Sequence, residues 1–213
     1  MPAETVTGLD EAKILGYFES LRGIFLSRFL MLASFTHIDG PHRLLDAARI
    51  HPDTLAAAQA LFPDPLFYAS LARGNAELVD NLLDDLATTT VTSSWNCFEQ
   101  IIKDLLRTDY ALQTGDLSVG YQNARFQFST RERKDLDFIY YTRNAIVHYN
   151  GAYHAAKSVN HRYRGMDFVS AGHEGEKMPG GLELSFHILE DLERYGLKAW
   201  SSAQALKAGR GPA

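Results

Sequence analysis

Apolar residues recur three and four positions apart along most of the chain, the period of a helix that buries one face. Leu15, Phe18, Leu21, Phe25, Phe29 and Leu32 predict a first helix over 9–35. The sequence DGPHR at 39–43 ends it. A second helical stretch is expected to begin at His42 or Arg43, Pro52 at a helix start with alanines in the next turns predicts another, and residues 63–75 read as a short helix closed by Gly74-Asn75. From Ala76 to about Leu112 the pattern is helical again. The β-branched cluster at 88–94 is poor helix material and predicts a kink or a division there, with Ser93 or Ser94 capping a fresh start. Trp95, Phe98, Ile101, Ile102, Leu105 and Leu106 then form one apolar stripe. Residues 113–128 read as a loop.

The next element has both ends marked. Ser129 with Glu132 three residues on is a capping box, in which each side chain satisfies the other's free backbone N–H. Asn150-Gly151 supplies the exit, since glycine takes the left-handed conformation without a steric cost. The expected helix runs from Thr130 to Tyr149. Beyond it, two β-like runs near Asp167–Ser170 and Leu182–Ser185 flank a glycine-rich turn and predict a small hairpin. A last helix begins near Phe186, and 208–213 reads as a disordered tail. The expected fold is all-α, a helical bundle with residues 1–74 as an N-terminal extension packed on it, 75–207 as the main domain, and the hairpin before the last helix.

Composition narrows the class. Of 213 residues, 46% are hydrophobic and 22% charged, the balance of a chain that folds around a core. The longest apolar run, near residues 23–35, contains Arg28 and is too short and polar to span a bilayer, so no membrane partner is expected. The first residues lack the basic start and apolar run of a secretory signal, and a single cysteine, Cys97, allows no internal disulfide. A cytoplasmic location is the default expectation. Net charge is −5, which argues against a protein that coats nucleic acid. The charge is nevertheless segregated. Between 77 and 116 eight acids face only Lys103 and Arg107, whereas between 125 and 164 eight bases face Glu132, Asp135 and Asp137. The basic block is either a footprint for phosphate or a solvated face pairing with the acidic helix.

Candidate chemistry lies in YYTRNAIVHYNG, residues 140–151. Leu136, Ile139, Tyr140, Ile146 and Val147 make an apolar stripe, and Arg143 falls in its middle, where the pattern asks for leucine. An unpaired buried guanidinium costs several kcal/mol, so Arg143 must have a partner or face a wet interface. A second row carries Asp137, Tyr141, Asn144 and His148. A histidine such as His148 can act as general base or acid, and Arg143 can hold a phosphate through paired hydrogen bonds. Five residues separate the two, roughly 140° around a helix, so a compact site needs a bend or a second copy. The structural alternative is an ion pair from Arg143 to Glu99 or Asp104, with His148 as a polar cap. Tyr140, Tyr141, Tyr149 and Tyr153 can stack on bases or simply pack. His154 and His161 lack an accompanying carboxylate at ligand spacing, and GHEGEKMPGG lacks the strand–helix context of a phosphate loop, so neither a metal nor a cofactor is expected.

Arg143-Asn144, two apolar residues at 146 and 147, then His148, resemble the Arg-x(4–6)-His signature of HEPN domains (higher eukaryotes and prokaryotes nucleotide-binding). WNCFEQIIKDLL resembles the helix that precedes the motif in that family, and the likeness covers about 75–207. The resemblance implies an all-α bundle that pairs as a homodimer and, in catalytic members, a metal-independent endoribonuclease with one composite site at the dimer interface. It implies His148 as acid or base, Arg143 as the phosphate clamp and Asn144 as the positioning group. Tyr141, Tyr149, Arg131 and Lys134 would be RNA contacts, and the products a 2′,3′-cyclic phosphate and a 5′-hydroxyl. RNA is the implied partner, with a cognate antitoxin or regulatory protein as a further one if the chain is a toxin or defence effector. Some members carry a modified tyrosine two positions after the histidine; here that position is Asn150, so that mode of regulation is not implied. The other reading is a HEPN-like dimerisation module that binds RNA or nucleotide without cleaving it.

Overall fold

The computed structural model describes residues 9–36, 76–108, 120–123, 126–154 and 158–209. The helices expected between 42 and 75 and residues 113–119 of the loop lie outside them. Four helices and a two-stranded sheet make up the described fold: α1 (Glu11–Thr36), α2 (Ala76–Thr108), α3 (Thr130–Tyr149), β1 (Asn160–Tyr163), β2 (Met166–Val169) and α4 (Gly181–Gly209).

One apolar core joins them. Ile14 and Phe18 of α1, Phe98, Ile101, Ile102 and Leu105 of α2, Leu136 and Ile139 of α3, and Ile188, Leu192 and Tyr195 of α4 are all buried in one cluster. The first helix is thus part of the core itself. Gly196 sits where three helices approach, and a Cβ there would meet Ile14, Phe18 and Ile101 at 3.6 Å. Polar ties reinforce the packing at the rim. Lys198 grips Glu132 at 2.6 and 2.8 Å, linking α4 to the first turn of α3, and Arg22 pairs with Glu193 between α1 and α4.

The β-branched cluster does not divide α2. Thr90, Thr92 and Ser94 donate their hydroxyls to carbonyls four residues back (Leu86, Thr88 and Thr90), so the helix absorbs them without a break. The hairpin also departs from expectation. β2 pairs with β1 on its N-terminal side, with Tyr163 opposite Met166, and Leu182–Ser185 instead opens α4. The turn is Arg164-Gly165, both at positive φ (50° and 88°), a two-residue geometry that suits the twist of paired strands. Leu184, Ile188, Leu189, Leu192, Tyr195 and Ala199 are all buried, a helical period that outweighs the local strand-like appearance. At the entrance to α4, Gly180 has φ 111° and a Cβ would lie 2.6 Å from the Leu184 Cβ, which restricts the position to glycine. α4 continues to Gly209, and 210–213 lie outside the described residues.

The hairpin docks on α3 through aromatic packing. Phe138 meets Phe168, Tyr163 and His161 with ring centroids 4.5, 5.1 and 5.2 Å apart. This fixes the rotation of α3 about its own axis, and with it the face that carries the candidate chemistry.

Candidate functional site

The local signals at both ends of α3 act as the sequence implies. The Ser129 and Glu132 capping box is complete, with the Ser129 N–H donating to Glu132 at 2.6 Å and the Glu132 N–H to Ser129 Oγ at 3.2 Å. Burial raises the Glu132 pKa, but the hydrogen bonds from Lys198 and Ser129 outweigh it and hold the carboxyl below the usual range. At the far end Asn150 and Gly151 are both left-handed, and the Gly151 N–H closes on the Ala145 carbonyl at 3.0 Å.

The orientation of α3 differs from the simplest reading of its stripes. Leu136, Phe138, Ile139, Tyr141, Thr142 and Ala145 face inward. The stripe that contains Arg143 is split: Leu136 and Ile139 are fully buried, Ile146 packs against the core, and Tyr140 and Val147 are 39% and 48% exposed. Arg143 stands half-buried in that stripe, flanked by the exposed Tyr140 and Val147.

Neither expected ion pair forms. Glu99 pairs with Lys103 at 3.3 Å, and Asp104 accepts from Gln100 at 2.8 Å. Arg143 Nη1 donates instead to Asn144 Oδ1 at 2.9 Å, while its Nε is buried with no hydrogen-bond partner among the described residues. That leaves a desolvated donor, and a desolvated donor with no acceptor costs about 1–3 kcal/mol.

His148 is exposed at the end of α3. With Tyr140, Tyr141, Asn144, Ala145, Tyr149 and His154 it lines an open groove of about 360 Å³. Tyr149 packs its ring 4.0 Å from that of His154 and is itself 43% exposed. Tyr141 is a floor residue: its ring is buried, and its hydroxyl accepts the His154 N–H at 3.0 Å. It therefore shapes the groove rather than offering a free stacking face. His154 was legible in the sequence only as a poor metal ligand, because its place here follows from the chain reversal at Asn150-Gly151.

The structure brings Asn144, His148, Tyr141 and Tyr149 together around one groove, with Arg143 linked to it through Asn144. It does not bring Arg131 or Lys134 there. Both are exposed in the first turns of α3, and Arg131 lies about 25 Å from His148 along the axis at 1.5 Å per residue.

No family model, no curated protein and no solved structure matches the chain. The site is therefore read from its own chemistry. Among the described residues no cluster of three His, Cys, Asp or Glu side chains is placed to hold a metal ion, and no helix is long and apolar enough to cross a membrane. What the end of α3 presents is a titratable imidazole in an open groove, an amide beside it, and a guanidinium with donors to spare.

Proposed function

We propose that the chain is a metal-independent endoribonuclease of HEPN type, acting as a homodimer in which the outward faces of α3 meet. The observation that supports this reading is a half-buried Arg143 beside the exposed Tyr140 and Val147, unpaired by the acids of α2 and with Nε free of any described partner. Tyr140 and Val147 bracket it, an arrangement suited to a self-complementary seam of two-fold symmetry. Two copies of His148 brought to one phosphate remove the geometric difficulty of a single helix. One imidazole takes the proton from the ribose 2′-hydroxyl as it attacks phosphorus. The other protonates the departing 5′-oxygen, which leaves a cyclic phosphate and a 5′-hydroxyl. Arg143 offsets the charge that builds on the phosphoryl oxygens, and Asn144 holds the arginine in place.

The bond between Arg143 and Asn144 also favours a second reading, a non-catalytic dimerisation or RNA-binding module in which the pair is structural. Cleavage of an end-labelled mixed RNA in excess EDTA separates the two. The first reading requires cutting with cyclic-phosphate ends, lost by about a hundredfold or more in His148→Ala and in Arg143→Ala. RNA left intact by the native protein and by both folded variants supports the second.

A further inference from the structure

A second cleft lies at the opposite end of α3. Its volume is about 290 Å³, and its walls come from three separate elements: Arg131 and Glu132 at the start of α3, Arg164 in the hairpin turn, and Asp191 and Arg194 in α4. From the guanidinium donors and geometry of this cleft, we propose that it is a binding site for a phosphate monoester, the terminal phosphate of a nucleotide or of an RNA end.

Three guanidiniums converge here, and the carboxylates are already committed. Glu132 is held by Lys198. Asp135 takes His161 at 2.8 Å and the Tyr195 hydroxyl at 3.2 Å. Asp191 lies at the floor, 2% exposed, and accepts from Tyr163 at 2.8 Å, Arg164 at 3.1 and 2.5 Å, and Arg194 at 2.8 Å. One arginine would neutralise that carboxylate; two converge on it. A third, Arg131, has no ion pair among the described residues. Glu190 approaches Arg164 at 3.9 Å. With Lys198 and Glu190 included, the bases Arg131, Arg164, Arg194 and Lys198 balance the carboxylates Glu132, Asp135, Asp191 and Glu190, so the cleft offers an anion unspent guanidinium donors rather than net charge.

The unspent donors are what points to a ligand. Arg194 spends only Nη2, on Asp191 and on the Tyr195 hydroxyl, and is 61% exposed. Arg164 spends Nε and Nη2, which leaves Nη1. Ser129 accepts at its cap through Oγ, and its O–H donates to no described residue. Arg164 also adopts a left-handed backbone, a position that glycine or asparagine fills at lower cost. A terminal phosphate carries up to two charges and three free oxygens, and can engage several guanidiniums at once. A phosphodiester within a strand carries one charge and two free oxygens, and so matches this cleft less well.

The site stands about 25 Å from His148 along α3 and does not rest on the ribonuclease reading. The test is calorimetric titration of the His148→Ala protein, chosen so that the proposed cleavage does not consume the probe, with AMP, adenosine, and one octaribonucleotide carrying either a 5′-phosphate or a 5′-hydroxyl. Phosphorylated probes should bind at least about tenfold more tightly than their unphosphorylated counterparts, the effect of one or more charge-assisted hydrogen bonds. Arg131→Gln, which breaks no described contact, should remove most of that preference, and Arg194→Gln should weaken it. Equal affinity for AMP and the phosphorylated RNA identifies a free nucleotide as the ligand. Tighter binding of the RNA identifies a strand end. The proposal is overturned if phosphate confers no preference, or if the preference survives both substitutions.

Discussion

Replacing Asp191 by asparagine perturbs the most heavily bonded carboxylate of the described fold. Its two oxygens accept four hydrogen bonds, one from Tyr163, two from Arg164 and one from Arg194. Asparagine keeps one acceptor oxygen but aims an NH₂ at a guanidinium and removes the only charge that both arginines share. Breaking a fully buried ion pair costs about 3–5 kcal/mol. Here Arg164 and Arg194 are 39% and 61% exposed, so water recovers part of that loss. The expected cost is therefore about 2–3 kcal/mol. It should appear in urea titrations as a midpoint lower by about 1 M at an unchanged slope. Glu190→Gln is the control: it removes a charge of the same sign from a 40% exposed position beside Arg164, and it should cost under about 0.5 kcal/mol. A loss below about 1 kcal/mol for Asp191→Asn, or an equal loss for the two variants, would refute the view that burial rather than charge count sets the strength of this network.

Three further outcomes follow from other parts of the fold. Gly196→Ala should be neutral or stabilising by up to about 1 kcal/mol, since its Cβ meets neighbours only at 3.6 Å, whereas Gly196→Leu should lose about 1–3 kcal/mol by overpacking; thermal unfolding of both variants distinguishes them. Burial pushes the Cys97 thiol from 9.0 up to about 11, so at about pH 8 the native protein should react with iodoacetamide roughly a hundredfold more slowly than the urea-unfolded chain. Equal rates would show the thiol to be accessible and ionisable. Glu132 has its carboxyl held low in the folded state, so it contributes stability above its unfolded value of about 4.5 and loses it as pH falls through the folded value. Lys198→Met should reduce stability at neutral pH and flatten the decline as pH falls below about 4.5; an unchanged acid profile would remove this pair from the explanation.

Local chemistry in the sequence was enough for the ends of α3, because a capping box and a left-handed exit are settled by residues within one turn of each other. The helical class of the described elements was legible for a similar reason: a period near 3.6 requires only that one face be apolar. The N-terminal helix, expected over 9–35, is found as Glu11–Thr36. The hairpin shows where local reading stops. NHRY carries two charged or titratable side chains and looks unlike a strand, yet it pairs because Tyr163 is buried and Phe138 of α3 covers the ring.

The same limit governs both candidate sites. Periodicity places Tyr140, Arg143 and Val147 in one row and Phe138, Tyr141 and Ala145 in another, but both rows contain apolar residues and the chain alone does not say which turns inward. Packing of Phe138 against the hairpin decides it, and so turns Arg143 toward the surface. The cleft of Arg131, Arg164 and Arg194 lay further beyond sequence reading. Its residues are spread over more than sixty positions and share no spacing, and a buried carboxylate in α4 draws two of the arginines together while helix docking supplies the third. Sequence fixes rows and ends because those depend on near neighbours in the chain. Facing and convergence depend on which surfaces exclude water together, and the tertiary structure alone determines that.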